Sequence, residues 1–230
     1  MALDLDRVDT VTVDSYGTLV DPHATVETLA EYVPDDLIDP IANEWRARSL
    51  MYTMVGNAIG FYQPFYEMNR DALAYATAAN GADLTTEEIN DVLSVYHDLD
   101  VFSDVRDGIE RIRDSGYDVY VLSNGDPEML ESMVENADIQ DSITDTISAD
   151  EVERFKPEPT IYRHGAARTG TAIDRLLHVA GPAFDVLGAM NAGMQAAWLN
   201  RTGAPWEDFA DRDPDLAAET FHDVADALGG

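Results

Sequence analysis

Val8-Asp9-Thr10-Val11-Thr12-Val13 runs directly into Asp14-Ser15-Tyr16-Gly17-Thr18. The first six residues are mostly β-branched, which suits a buried, pleated strand. The five that follow are polar or small, which suits a turn. The same change of character recurs where Tyr117–Leu122 meets Ser123-Asn124-Gly125, and where Leu176–Ala180 meets Gly181-Pro182. Ala196–Leu199 reads as a further strand and Thr144–Ser148 as a short one. Helical patterns fill the intervals: Val105–Asp114, stopped by Gly116; Pro127–Asn136; Pro159–Thr169; and a helix from Pro182 to Asn191. Strands alternating with helices imply a parallel, doubly wound sheet, and so an α/β, Rossmann-like fold.

After the first strand this alternation is interrupted. Apolar residues recur at helical spacing in Val26–Val33, Ile41–Val55, Phe61–Ala79 and Ile89–Leu99. Asn80-Gly81 breaks the pattern, and Thr85-Thr86-Glu87-Glu88 has the composition of a helix start. Two domains are expected: a Rossmann-like core from 1–19 and 100–230, and an all-helical cap inserted at 20–99. Asp208–Asp215 is aspartate-rich and reads as a solvated loop.

Composition narrows the function. The 230 residues carry 45 acidic groups against 14 lysines and arginines, a net charge of −31. Such acidity excludes nucleic acid and anionic membrane surfaces as partners, since both need basic patches. A hydrophobic content of 45% is enough for a packed core, so the chain is not a disordered acidic segment. No apolar run is long enough for a membrane span. The first residues lack a basic region followed by an apolar one, so a cytoplasmic protein without a signal peptide is expected. Cysteine is absent, which removes thiolate nucleophiles and cysteine metal sites. The five histidines are dispersed without metal-ligand spacing, and none is assigned a role. The composition resembles that of proteins from extreme halophiles, archaea among them. In molar salt the Debye length falls to about 3 Å and repulsion among the carboxylates is screened.

Lys156 is the chain's one lysine. A compact ammonium is not mimicked by arginine's planar fork, so a lysine kept where all others are lost points to a specific task. Active sites of open α/β sheets lie at the carboxyl ends of the strands. Asp14, Ser123, Asn124, Lys156 and Asp185 all fall at such ends, which would gather two carboxylates, an ammonium and polar donors in one crevice.

In their order and spacing, Asp14-Ser15-Tyr16-Gly17-Thr18-Leu19, Leu122-Ser123-Asn124-Gly125, Phe155-Lys156-Pro157 and Asp185 resemble the four motifs of the haloacid dehalogenase (HAD) superfamily. Within it the chain looks most like the L-2-haloacid dehalogenases. The likeness extends to Trp45-Arg46, Leu50, Tyr52-Thr53, Tyr162 and Asn200-Arg201-Thr202-Gly203. It implies a HAD core with a helical cap and a metal-independent hydrolase that needs no cofactor. It also implies a small anionic 2-haloacid as substrate and a homodimer as the assembly. Asp14 would displace halide and form an ester that water then hydrolyses. Lys156 would hold Asp14 ionised, Asp185 would help activate the water, and Thr18 and Ser123 would bind carboxylate or oxyanion charge. Arg46 and Asn124 would receive the halide, while Tyr16, Leu50, Phe65 and Tyr162 would complete the substrate site.

Taken singly, these residues have plainer readings. Asp14 could cap a turn, Arg46 pair on the surface, Ser123-Asn124-Gly125 form an ordinary turn, Leu50 and Phe65 fill the cap core, and Asp185 sit at a helix N-terminus. Two departures separate subfamilies. Phosphatases of the superfamily carry an aspartate two residues after the nucleophile and an acidic pair in the fourth motif for Mg²⁺. Here Tyr16 takes the first place, and Val179-Ala180-Gly181-Pro182-Ala183-Phe184-Asp185 offers one carboxylate. Halide leaves without a proton, so a dehalogenase needs neither. A third departure points the other way: Ala180 and Pro182 stand where the family usually has serine and asparagine. An Mg²⁺-dependent phosphatase and a catalytically impaired binding protein therefore remain as alternatives.

Overall fold

The computed structural model describes residues 2–207, 209 and 211–229. Six parallel strands form the central sheet: β1 (Thr10–Val13), β4 (Asp118–Ser123), β5 (Asp145–Ser148), β6 (Leu176–Ala180), β7 (Gln195–Leu199) and β8 (Leu216–Ala218), in the order β5-β4-β1-β6-β7-β8. β1 lies at the centre and is wholly buried, with Thr12 flanked by Tyr120 and His178. A strand covered on both faces loses the hydrophobic alternation of a half-exposed one. Helices supply that cover: α5 (Val105–Asp114), α6 (Pro127–Ala137), α7 (Pro159–Thr169), α8 (Ala183–Ala192) and α9 (Phe221–Ala227).

The two faces differ. Val11, Val13, Val119, Val121, Leu177 and Val179 pack with the apolar faces of α5, α6 and α9. Leu122, Ile147, Leu176 and Ala180 face α7 and α8. Alternation along β1 therefore turns Thr10, Thr12 and Asp14 toward the α7/α8 side. Thr10 Oγ1 pairs with Thr171 Oγ1 at 2.8 Å, and Thr12 Oγ1 with His178 Nδ1 at 2.8 Å.

The helical insertion comprises α1 (Ala24–Leu29), α2 (Asp35–Ile59), α3 (Phe65–Ala79) and α4 (Thr86–Ser94). Thr85 caps α4, its hydroxyl accepting from the Glu88 N–H while the Glu88 carboxylate accepts from the Thr85 N–H. A two-stranded antiparallel pair, β2 (Val20–Asp21) with β3 (Asp100–Val101), brings both ends of this segment together. Pairs that short have no sequence signal, and none was expected.

Some expectations need correction. β1 starts at Thr10 rather than Val8, because Leu5–Arg7 forms a 3-10 turn and Asp9 pairs with Arg175. The chain beyond Leu199 contributes an edge strand and a last helix that went unforeseen. Leu216-Ala217-Ala218 is too short and too plain to signal a strand, and pairing with β7 decides it. Asp208 and Ala210, within the expected loop, lie outside the described residues. Among the described residues no helix is long and apolar enough to cross a membrane.

Candidate active site

The sheet places Asp14 one residue past β1, where its N–H donates to the Val179 carbonyl and continues the ladder to β6. The chain then turns sharply. Gly17 adopts φ +78°, a conformation that glycine reaches without strain. A Cβ at Gly181 would stand 2.3 Å from the Gly17 carbonyl oxygen, so the loops after β1 and β6 touch backbone to backbone. Thr18 uses that closeness. Its hydroxyl donates to Asp14 Oδ2 at 2.7 Å and accepts from the Gly181 N–H at 2.9 Å.

Lys156 is 1% exposed, and its ammonium bridges two carboxylates, 3.0 Å from Asp14 Oδ1 and 2.7 Å from Asp185 Oδ2. A buried ammonium loses several kcal/mol of hydration, which only close anionic partners offset. Those partners outweigh burial here and raise the Lys156 pKa. The carboxylates diverge. Burial pushes Asp14 above the ordinary carboxylate value; Lys156 and Thr18 pull it back only in part, and the Asp185 charge adds to the rise. Burial acts on Asp185 too, but the Lys156 ammonium beside it prevails and holds it well below the ordinary value. Tyr162, buried on α7, donates to Asp185 Oδ1 at 2.7 Å.

The second-motif residues frame this cluster. Asn124 accepts from the Lys156 N–H at 2.8 Å through Oδ1, so its amide N–H groups stay available as donors. Ser123 Oγ lies 2.5 Å from Ser15 Oγ and accepts from the Gly125 N–H at 2.9 Å. Among the described residues it bonds to neither carboxylate.

Aromatic rings of the helical insertion pack beside the cluster, against Tyr16 and Phe155. Tyr16 stacks on Phe65 with centroids 6.2 Å apart and meets Tyr96 edge-on at 5.4 Å. Phe65 and Tyr62 pack on Phe155, at 6.1 and 5.2 Å. The Tyr16 hydroxyl is buried with no hydrogen-bond partner among the described residues. Burial raises its pKa well above the ordinary phenol value, so it stays protonated and can donate. Arg46 and Leu50 are one turn apart on α2, and further along the same face Asn57 reaches the core. Its side chain donates to the Phe155 carbonyl at 2.8 Å and accepts from the Phe155 N–H at 3.0 Å. Leu50 is half-buried; Arg46 is exposed, its charge felt at Tyr96. Asp126 fixes the start of α3 from the core, accepting from the Phe65 and Tyr66 N–H groups at 2.6 and 3.0 Å.

The structure thus brings Asp14, Thr18, Lys156, Asp185 and Tyr162 into one bonded cluster, with Asn124 tied to it through the Lys156 backbone. Arg46 and Leu50 lie outside that network of bonds. Tyr162, expected at the substrate, has its hydroxyl on Asp185. Sequence reasoning passed over Thr12, Ser15, Asn57, Asp126 and His178. Period two along β1 could have shown that Thr12 shares a face with Asp14. A histidine inside an apolar strand was a second readable signal.

Residues 8–193 match the model of the haloacid dehalogenase-like hydrolases. (S)-2-haloacid dehalogenase 2 of Pseudomonas sp. (strain CBS-3) is 30% identical over 224 residues, 97% of each chain. The (S)-2-haloacid dehalogenase of Pseudomonas sp. (strain YL) is 28% identical over 222 residues, 96% of this chain and 95% of that one. The L-2-haloacid dehalogenase from Xanthobacter autotrophicus, solved with chloropropionic acid covalently bound, superposes with a TM-score of 0.88 at 26% identity, covering 97% of this chain and 99% of that one. The chain belongs to the haloacid dehalogenase-like hydrolases, and within them to the L-2-haloacid dehalogenase family.

Proposed function

We propose that this hydrolase removes halide from short 2-haloalkanoic acids and yields 2-hydroxy acids through an ester on Asp14. One observation carries the reading: a buried ammonium bridges Asp14 and Asp185 while Thr18 fixes the other oxygen of Asp14. A carboxylate so held is an oriented nucleophile, and Tyr16, standing where the phosphatases carry an aspartate, is a poor acid for an alcohol leaving group because burial raises its pKa. Asp14 attacks C2; the carbon–halogen bond breaks and halide departs with its electron pair. Water then adds to the Asp14 acyl carbon. The bond from that carbon to the ester oxygen breaks, the product takes one proton and the other passes to solvent.

Asp185 accepts a hydrogen bond from that water. An ionised carboxylate has about four acceptor positions, and Lys156, Tyr162 and His178 approach three of them. The Asn124 amide and Arg46 receive halide; Tyr16, Leu50 and Phe65 line the apolar side of the substrate. Residues 20–99 act as the cap over the core.

The test is chloride release from 2-chloropropionate in molar KCl after exhaustive chelation. Turnover is read by mass spectrometry as conversion of isotopically labelled 2-chloropropionate to lactate, because bulk chloride is high. Turnover is expected to survive EDTA, and Asp14→Asn to lower it by at least about 10⁴-fold. In ¹⁸O-water a single turnover is expected to put the label into Asp14 first. Loss of activity in EDTA with rescue by Mg²⁺ and a phosphate ester would replace this reading with the phosphatase.

A further inference from the structure

His178 was assigned nothing from sequence, yet it abuts the candidate water-holding carboxylate. It is fully buried in the middle of β6, between Leu177 and Val179, in a strand where an apolar side chain would pack without cost. Its Nδ1 lies 2.8 Å from Thr12 Oγ1, and its ring meets Tyr162 edge-on at 5.8 Å. Nε2 lies 3.1 Å from Asp185 Oδ2. That contact is off the line of a well-formed hydrogen bond, and among the described residues no other group bonds to Nε2. A buried ring nitrogen without an aligned partner is costly, and active-site hydrogen bonds often align only as reaction proceeds. The arrangement that serves both nitrogens has Thr12 donate to Nδ1 and Nε2–H face Asp185.

We propose that His178 is a positioning residue for ester hydrolysis, holding Asp185 from Nε2 while Thr12 fixes its tautomer. The inference rests on the dehalogenase reading above. In the free enzyme Lys156 is shared by two carboxylates. Once Asp14 is esterified it carries no charge, and the ammonium is free to recentre on Asp185. The plane of Asp185 is then kept by Tyr162 on Oδ1 and His178 on Oδ2. Ala180 and Pro182 offer no side-chain donor at the end of β6, so this strand's donor comes from two residues earlier. Attack of Asp14 on C2 does not need the water-holding carboxylate; hydrolysis of the ester does.

The two half-reactions separate this role from a merely structural one. In rapid-quench experiments with 2-chloropropionate, His178→Phe is expected to release the first halide at close to the wild-type rate. It should then stall, with steady turnover at least about 10-fold slower and the ester trapped on Asp14 by mass spectrometry. Thr12→Val keeps the strand's shape and is expected to slow the same step, while His178→Gln, whose amide still donates, should recover most of it. Equal slowing of both steps, or unchanged hydrolysis in both His178→Phe and Thr12→Val, overturns the inference while leaving the dehalogenase reading intact. A wild type that releases no halide overturns that reading and this role with it.

Discussion

At Lys156 the argument turns on shape as much as charge. The ammonium sits within 3.0 Å of one carboxylate and 2.7 Å of another at 1% exposure. A planar guanidinium does not fit that bridge. Lys156→Arg is therefore expected to lower kcat/KM by at least about 10²-fold, equivalent to about 2.7 kcal/mol of transition-state stabilisation. Steady-state assays beside Lys156→Ala check it; an arginine variant with most of the activity would make Lys156 an ordinary ion-pair residue. The direction of the Asp14 shift gives a second expectation. Attack needs the ionised form, and burial raises the Asp14 pKa. Activity should fall as pH drops, with the acid limb of kcat/KM inflecting above about 3.9, the ordinary aspartate value. An inflection at or below that value would mean that Lys156 outweighs burial. Asp14, Lys156 and Asp185 were legible because each ends a strand or follows one closely. Asn57 was not, since its partner is a peptide group 98 positions away in the chain.

Among the elements, the loops depend on an ion pair that reaches the backbone of Thr18. Arg201, just past β7, bonds Asp104 Oδ1 at 2.6 Å and the Thr18 carbonyl at 2.8 Å. Asp104 Oδ2 in turn accepts from the Phe221 N–H at 2.7 Å, at the start of α9. The guanidinium also lies over the Phe102 ring, 4.3 Å from its centroid. One pair thus ties the loop after β1 to the segment after β7, the start of α5 and the start of α9. Both side chains are 10% exposed, so removing one leaves a charge poorly hydrated. Arg201→Met is expected to cost about 3–5 kcal/mol in denaturant unfolding. A loss under about 1 kcal/mol would place the pair with ordinary surface bridges. This architecture was partly legible. Helices with a capping box, an opening proline or a closing glycine stood out, because those signals are local. β8 and the β2–β3 pair did not, because a partner strand far along the chain decides them.

For the whole molecule, charge is the dominant feature. Several arginines are paired at the surface, among them Arg175 with Asp9, Arg168 with Asp145 and Glu151, and Arg111 with Asp226. Exposed pairs of this kind contribute about 0–1 kcal/mol each, and salt weakens them. Salt also weakens repulsion, so the sign of its effect depends on which population is larger. If each of the 14 lysines and arginines cancelled one carboxylate, 31 of the 45 acidic groups would still be uncompensated. Repulsion therefore outweighs attraction, and screening should stabilise the fold. Thermal unfolding is expected at a higher midpoint in 3 M than in 0.1 M KCl at neutral pH. Salt also strengthens apolar burial, and pH separates the two causes. Near pH 4.1, the sequence's isoelectric point, protonation removes most of the excess charge. The gain from KCl should shrink there if repulsion is the cause, and persist if burial is. A midpoint indifferent to KCl at neutral pH would mean that the carboxylates are spaced widely enough to tolerate one another in dilute buffer, and that the acidity is not an adaptation to molar salt.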